Sequence, residues 1–303
     1  MRAVQLGLGF TLIADIVACW LFLQSKYTLS IMAADDRTLV ATLARAAKGG
    51  VISLVAASKA MGVPRTTAAL RLRRLVRQGW IERLRRGLYL VKPLSAAPDQ
   101  TAIPEDPWVL AREVFSPCYI GGWSAAEHWE LTEQIFRSTL VVTATPARKT
   151  ELRVGGHDFR VFRVPRARLT AGVVKVWRGP ERVDVAGLER TILDGLRNPE
   201  LVGGGRHLVQ ILRAYGEHQQ SNFARLLDLA RETASGAAWK RLGFLAERLW
   251  PTEAKIIAAA RRHMTAGYVR LDPGNRQHGK LTKRWRLWIN VSASDLTSET
   301  NAS

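Results

Sequence analysis

The residues best suited to chemistry lie between Arg65 and Lys92. Nine basic side chains, Arg65, Arg71, Arg73, Arg74, Arg77, Arg83, Arg85, Arg86 and Lys92, stand against one acid, Glu82, for a net charge of +8. Gathered on a compact surface these groups repel one another, and a polyanion relieves that repulsion while releasing its own counter-ions. The chemistry this run supports is binding, and double-stranded DNA is the partner it suits. At about 100° per residue, Ala68, Leu72, Leu75 and Val76 fall on one side of a helix, and Thr67, Leu70, Arg74 and Arg77 on the other. The first residues of such a helix would meet base edges in the major groove. Arg65 or Arg71 reaches guanine there, and Leu70 or the methyls of Thr66 and Thr67 touch thymine. Arg73, Arg74 and Arg77 lie further along and hold phosphates, while Arg85 and Arg86 occupy a hairpin tip. The alternative is a solvated basic surface used only for protein contacts.

Other groups invite chemistry and fall short of it. Gly121-Gly122-Trp123-Ser124 could open a nucleotidyltransferase phosphate loop, but that loop needs two metal-binding acids at alternate positions on a nearby strand. Glu133 has Ile135 where the second acid belongs, and Glu127, Glu130 and Glu133 sit at helical spacing. As a nucleophile elbow, GxSxG, the run fails at Ala126. The simpler role is structural: Gly121 and Gly122 let the chain turn tightly, and Ser124 caps the helix containing Glu127. His128, His157, His207, His218, His263 and His278 form no HxxxH or HxxE pair. Cys19 and Cys118 lie far apart without ligand spacing, which fits a reducing cytosol. No metal, no cofactor and no enzymatic activity is expected. Glu189, Arg190, Thr191 and Asp194 share one helix, with Arg190 and Asp194 four apart and able to pair. They either hold their domain together or form a partner-binding surface.

The local structure around the basic run is set by its punctuation. SLVAASKAM should be a helix capped by Ser53, with Leu54, Val55, Ala57 and Met61 as its apolar stripe and Gly62 as its stop. Pro64, with fixed φ and no N–H, suits the first turn of the next helix, which runs through RTTAALRLRRLVRQ to Gly79. WIERLRRGLYLV then gives two short strands around Arg85-Arg86-Gly87, where glycine supplies the positive φ a hairpin needs. Helix, turn, helix and two-stranded wing make a winged helix over 35–94.

The whole chain has 303 residues, 47% of them hydrophobic, and a net charge of +19, enough for two domains with their own cores and suggestive of a nucleic-acid partner. Residues 1–31 are apolar from Ala3 to Leu23, long enough to span a bilayer. Asp15 near the middle opposes that at about 2.5–3.5 kcal/mol. Met32 follows and leads into MAADDRTLVATLARAA, a helix feeding the winged helix. The segment is therefore read as preceding the true start. A membrane anchor, with Cys19 in a lipobox-like context, and an ordinary amphipathic helix stay open, and a membrane partner is not expected.

Prolines, small residues and acids mark 95–107 as a linker. Up to position 133 the charge then turns acidic, with Arg112 alone against seven acids, so this stretch should stay off DNA. STLVVTAT, ELRV, DFRVFRV and VVKVW read as strands, with Gly155-Gly156 a turn between the second and third. From Leu188 on, five segments carry apolar residues at three- and four-residue spacing. The fold class is α+β: a winged helix, then over 108–291 a small sheet with a helical C-terminal part, and a disordered tail over 292–303. Lys280, Lys283, Arg284 and Arg286 alternate with Trp285 and Trp288, as in a half-buried edge strand; a second nucleic-acid surface with stacking is the other reading.

Four stretches carry a family resemblance: GWIERLRRGLYLV, YIGGWSAAEHWELTEQ (119–134), VDVAGLERTILDGLRNPELVGG (183–204) and YVRLDPGNRQHGKLTKRWRLWIN (268–290). Over residues 35–291 the chain resembles the AbiEi antitoxins of the AbiE phage-defence toxin–antitoxin systems. The resemblance implies a two-domain protein, and a cytoplasmic location is expected. Its winged helix would bind inverted repeats in its own promoter and repress the operon. Its C-terminal domain would neutralise a nucleotidyltransferase-like toxin, in a type IV manner that needs no stable complex. Gly122, Ser124, Glu127, Glu189, Arg190, Thr191 and Asp194 belong to the family-like runs of that domain. A transcription regulator with a ligand-sensing C-terminal domain is the alternative function.

Overall fold

The structure, a computed structural model, describes residues 35–92, 106–146 and 149–296. The apolar segment 1–31, the start at Met32, most of the linker and the tail beyond 296 lie outside the described residues. The chain divides into two compact units, Met1–Ala102 and Ile103–Ser303.

In the first unit, α1 (35–46) is followed by β1 (Val51–Ser53), α2 (Leu54–Met61), α3 (Arg65–Arg77), β2 (Ile81–Arg85) and β3 (Leu88–Val91). The Ser53 hydroxyl accepts the Ala56 N–H at 3.1 Å, so α2 starts where its cap dictates. Pro64, expected within the first turn of α3, is instead its N-cap with ψ 151°, and Arg65 opens the helix. Val40 and Leu43 from α1, Ala57 from α2, Leu72 and Leu75 from α3, and Ile52, Ile81, Tyr89 and Val91 from the strands form one core. Val55, expected in the apolar stripe, lies outside it and is 53% exposed. The wing is three-stranded, in the antiparallel order β1-β3-β2. Three residues running straight into a helix cap are too short a segment to show period two, which is why β1 escapes a reading of the sequence. The unit is a winged helix.

The second unit opens with α4 (Pro107–Phe115), β4 (Cys118–Ile120), α5 (Gly122–His128), β5 (Thr139–Thr143), β6 (Glu151–Val154), β7 (His157–Arg163), β8 (Val173–Arg178) and β9 (Glu181–Ala186). Asp106 and Pro107, expected in the linker, cap and begin α4: the Asp106 carboxylate accepts the N–H groups of Trp108 at 2.7 Å and Val109 at 3.2 Å. The six strands form one mixed sheet, ordered β6-β7-β5-β4-β9-β8. Along β4 the Cys118 thiol donates to Ala111 O of α4, while the next residue, Tyr119, reaches Asp194. Successive strand residues point to opposite faces, so α4 and the helix bearing Asp194 cover opposite sides of the sheet.

That helix is α6 (Leu188–Arg197), followed by α7 (Gly205–Glu217), α8 (Phe223–Thr233), α9 (Gly236–Leu249) and α10 (Ala254–His263). The helices do not come last. A small sheet of β10 (Val269–Arg270), β11 (Lys280–Thr282) and β12 (Leu287–Ile289) comes after them, then a single turn, α11 (Ala293–Leu296), inside the stretch expected to be disordered. The run from Lys280 to Trp288 is therefore a hairpin and not one edge strand. Trp285 lies in its turn, buried to 1% exposure, with its ring N–H donated to Glu247 at 2.6 Å. Charge alternation could not reveal this, because Trp285 is held by α9 and not by strand neighbours. Among the described residues no helix is long and apolar enough to cross a membrane.

Candidate nucleic-acid interface

The amphipathic spacing of α3 buries Ala68, Leu72 and Leu75 and leaves Leu70 63% exposed on the outer face. Arg65, Thr66, Arg71, Arg73 and Arg77 are exposed beside it, with Thr67 half-buried. On the wing, Arg83 and Arg85 point outward from β2, and Arg86 precedes Gly87, whose φ of 75° closes the two-residue turn. The turn is tied to the body of the domain: the Leu54 N–H donates to Gly87 O at 2.8 Å. Between the outer face of α3 and the sheet runs a groove of about 490 Å³, lined by Leu70, Arg73, Val76, Arg77, Arg83 and Tyr89.

Among the described residues no acid faces Arg65, Arg71, Arg73, Arg77, Arg83, Arg85 or Arg86; the ion pairs of this unit reduce to Arg74 with Asp36. Arg74 thus departs from the expectation that it holds phosphates with its neighbours. Its Nη2 lies 2.6 Å from the buried Asp36 carboxylate of α1, which also accepts from Gln78 at 2.9 Å. That hydrogen bond raises the Arg74 guanidinium above its ordinary value. The pair fastens α1 to the back of α3. Asp36 lies 38 residues away in sequence, so nothing near Arg74 announces it. Arg83, absent from the contact residues expected on sequence grounds, joins them on the groove; its spacing of two from Arg85 on one strand is the signal that could have found it.

The second family-like set lies in the other unit, mostly below its surface. Gly122 has φ 52°, and a Cβ there would stand 2.1 Å from Leu201 O, so no other residue fits. Ser124 does not cap α5: Gly121 is the N-cap, and the buried Ser124 hydroxyl accepts the Leu140 N–H at 2.9 Å, anchoring β5. Glu127 is exposed and borders a cleft of about 340 Å³ with His128, Arg137, Asp158 and Arg178. Burial, and then the charge of Arg178, lower the His128 imidazole below its usual range.

Glu189, Arg190, Thr191 and Asp194 are all buried. Arg190 Nε donates to Asp194 at 2.9 Å, Nη2 to Tyr119 OH at 3.0 Å and to Arg168 O at 2.9 Å, and Nη1 to Ala171 O at 2.5 Å. Tyr119 OH in turn donates to Asp194 at 2.7 Å. Burial pushes the Tyr119 phenol well above its ordinary value and the Asp194 carboxylate adds to this, so the proton stays on the phenol. Burial alone would lower the Arg190 guanidinium, but Asp194 and Tyr119 reverse that. Thr191 donates to Gly187 O at 3.0 Å, and Glu189 meets Arg225 at 3.5 Å. These groups tie α6 to β4 and to the chain before β8. Tyr119 completes the network from 71 residues upstream, which no spacing in the sequence foretells. Among the described residues no cluster of three or more His, Cys, Asp or Glu could hold a metal ion.

Comparison with known proteins bears on both units. The fold is similar to the crystal structure of the RV2827C protein from Mycobacterium tuberculosis, with a TM-score of 0.55 and 21% identity over 82% of this chain and 88% of that one. No curated protein matches the chain. Residues 40–92 match the family model described as transcriptional regulator, AbiEi antitoxin. The winged helix thus carries the signature of the family that the chain resembles in sequence, the AbiEi antitoxin regulators of toxin–antitoxin systems.

Proposed function

We propose that the chain represses its own toxin–antitoxin operon by docking α3 in the major groove of inverted repeats in the promoter, and that its second unit neutralises a cognate nucleotidyltransferase-like toxin. The observation that carries the DNA reading is the set of seven arginines around α3 and the wing with no acid facing them among the described residues. In this reading Arg65 and Arg71 contact guanine edges, while Thr66, Thr67 and Leu70 meet thymine methyls. Arg73, Arg77 and Arg83 hold phosphates along the groove, and Arg85 and Arg86 do so at the wing turn. Arg74 acts through Asp36 by setting the position of α3. The first turn of α3 has no acidic residue and no side-chain cap, so its N–H groups are open to a phosphate as well. The protein acts by binding alone and performs no catalysis in this account.

The two tasks are tested separately. In a binding titration on the chain's own promoter, Arg71→Ala should lose more affinity for the cognate site than for random DNA. Arg85→Ala with Arg86→Ala should weaken both and shrink the salt slope by about 1.8. Equal losses from Arg71→Ala on all sequences would remove its base-reading role. For antitoxin activity, the neighbouring nucleotidyltransferase-like gene is expressed alone and then with residues 32–303. Restored growth supports the reading, and unrelieved toxicity leaves a DNA-binding regulator without an antitoxin role.

A further inference from the structure

A second cationic surface stands on the other unit, built from parts distant in sequence. From Arg261 to Arg286 there are eight basic residues and one acid, Asp272. That acid is spent internally, since its carboxylate accepts the N–H groups of Gly205 at 2.7 Å and Gly274 at 2.9 Å. Three pieces of this stretch share one face. Arg261 in the last turn of α10 and Arg284 in the β11–β12 turn both pair with Glu247 of α9. Arg286 in the same turn donates to Thr265 O at 3.1 Å, and its carbonyl accepts the Val269 N–H at 3.1 Å, so the 264–268 loop is stitched alongside. Beneath the loop, the fully buried Lys240 donates to Gly267 O and has no acidic partner among the described residues.

Among the described residues Glu247 is the one carboxylate paired here, shared between two guanidinium groups, while Arg262 and Lys283, the chain neighbours of Arg261 and Arg284, are exposed and in no ion pair. Stabilisation of a helix C-terminus by cations explains Arg261, Arg262 and His263. It does not explain Lys283, Arg284 and Arg286, which arrive from a different element. Amid these charges the Tyr268 ring is 55% exposed. A phosphate backbone satisfies the charges, but the paired bases of a duplex offer a ring on a loop nothing to stack on. An unpaired base does. The face also presents a loop and a turn, with no helix or ribbon shaped for a major groove.

We propose that this face binds single-stranded RNA, with Arg262 and Lys283 on the backbone and Tyr268 stacked on a base. RNA is the single strand that any transcribing cell holds in quantity. The inference is independent of the winged helix, so the test silences that unit first. The full chain carrying Arg73→Glu and Arg77→Glu is titrated by fluorescence anisotropy with an unstructured RNA of about 16 nucleotides. Binding should persist, and adding Arg262→Glu and Lys283→Glu should weaken it by about tenfold or more and reduce the salt slope by about 1.4. Tyr268→Ala should weaken it by about five- to tenfold, with Tyr268→Phe restoring it. All these positions lie on the surface, and an unchanged near-ultraviolet circular dichroism spectrum in each variant shows that the fold is kept. The milder pair Arg262→Gln and Lys283→Gln should give a smaller loss in the same direction. The proposal is overturned if silencing the winged helix abolishes RNA binding, or if charge reversal on this face leaves it unchanged. It also fails if the silenced chain binds duplex DNA, or single-stranded DNA of the same sequence, as tightly as RNA.

Discussion

Arginine does opposite work in the two units. On α3 and the wing, Arg71, Arg73, Arg77, Arg83, Arg85 and Arg86 are exposed, with no acid opposite among the described residues. Their mutual repulsion weakens the fold slightly, and a polyanion would relieve it. In the second unit, Arg190 and Arg241 are 4% and 3% exposed, and each directs its N–H groups to protein acceptors. Arg241 of α9 has carbonyls alone for this among the described residues: Leu196 and Arg197 at the end of α6, Arg270 of β10 and Leu271 just after it. Burial without a touching carboxylate lowers its guanidinium to about 10. A guanidinium can thus close the C-terminus of a helix and splice it to a strand. Exposure and the presence of a counter-ion distinguish a binding arginine from a structural one, and residue type does not.

The largest expected effect comes from breaking the buried set. Arg190→Ala strands the Asp194 carboxylate and should cost about 3–5 kcal/mol in urea unfolding. A loss below about 1 kcal/mol would erase the distinction between the two groups of arginines. On the other side of the comparison, Arg73→Ala with Arg77→Ala should lower DNA affinity by about tenfold or more and cut the salt slope by about 1.8. Stability should stay within about 0.5 kcal/mol. A matching drop in the unfolding midpoint would place these residues with the structural ones.

Smaller effects sharpen the contrast. Ser124→Ala removes the acceptor of the Leu140 N–H and should cost about 1–2 kcal/mol, with DNA binding untouched. Alkaline pH should act on the second unit through two weak acids, the half-buried Cys118 and the buried Tyr119. Burial first, and Asp184 next, push the Cys118 thiol from 9.0 up to about 12, and Tyr119 is raised likewise. Both are held protonated by the fold, so their stabilisation is whole below their ordinary values and fades as pH rises from 9.0 towards about 12. The melting temperature should begin to fall above about pH 9, with the first unit of pH removing on the order of 1 kcal/mol. A melting temperature that holds or rises through this window would mean that the fold does not disfavour the charged forms of these groups.

The winged helix is open to sequence reading because its signals are local. Ser53, Gly62, Pro64, Gly79 and Gly87 punctuate it at the places where caps and turns occur, and α3 shows its two faces through spacing alone. The second unit yields less. Its long helices and four of its strands are legible by period, but β4 and β9 are not, since each merges into a family-like run that continues as helix. The role of Glu189, Arg190, Thr191 and Asp194 stays undecided in sequence between holding the domain and meeting a partner. Neither the spacing of four nor the family resemblance carries information about burial.

The basic winged helix, the α+β character of the second unit and the identity of the charges available to a polyanion are written in the sequence alone. These depend on neighbours within one or two turns of chain, where propensity, capping and periodicity act. Which of those charges are free is a matter of tertiary structure. Arg74 is withdrawn by Asp36, Arg190 by Tyr119, and Arg241 by carbonyls of two other elements, across separations of 29 to 71 residues. Whether an arginine faces water or a buried acceptor is settled by how elements pack, and packing joins residues that local rules never compare.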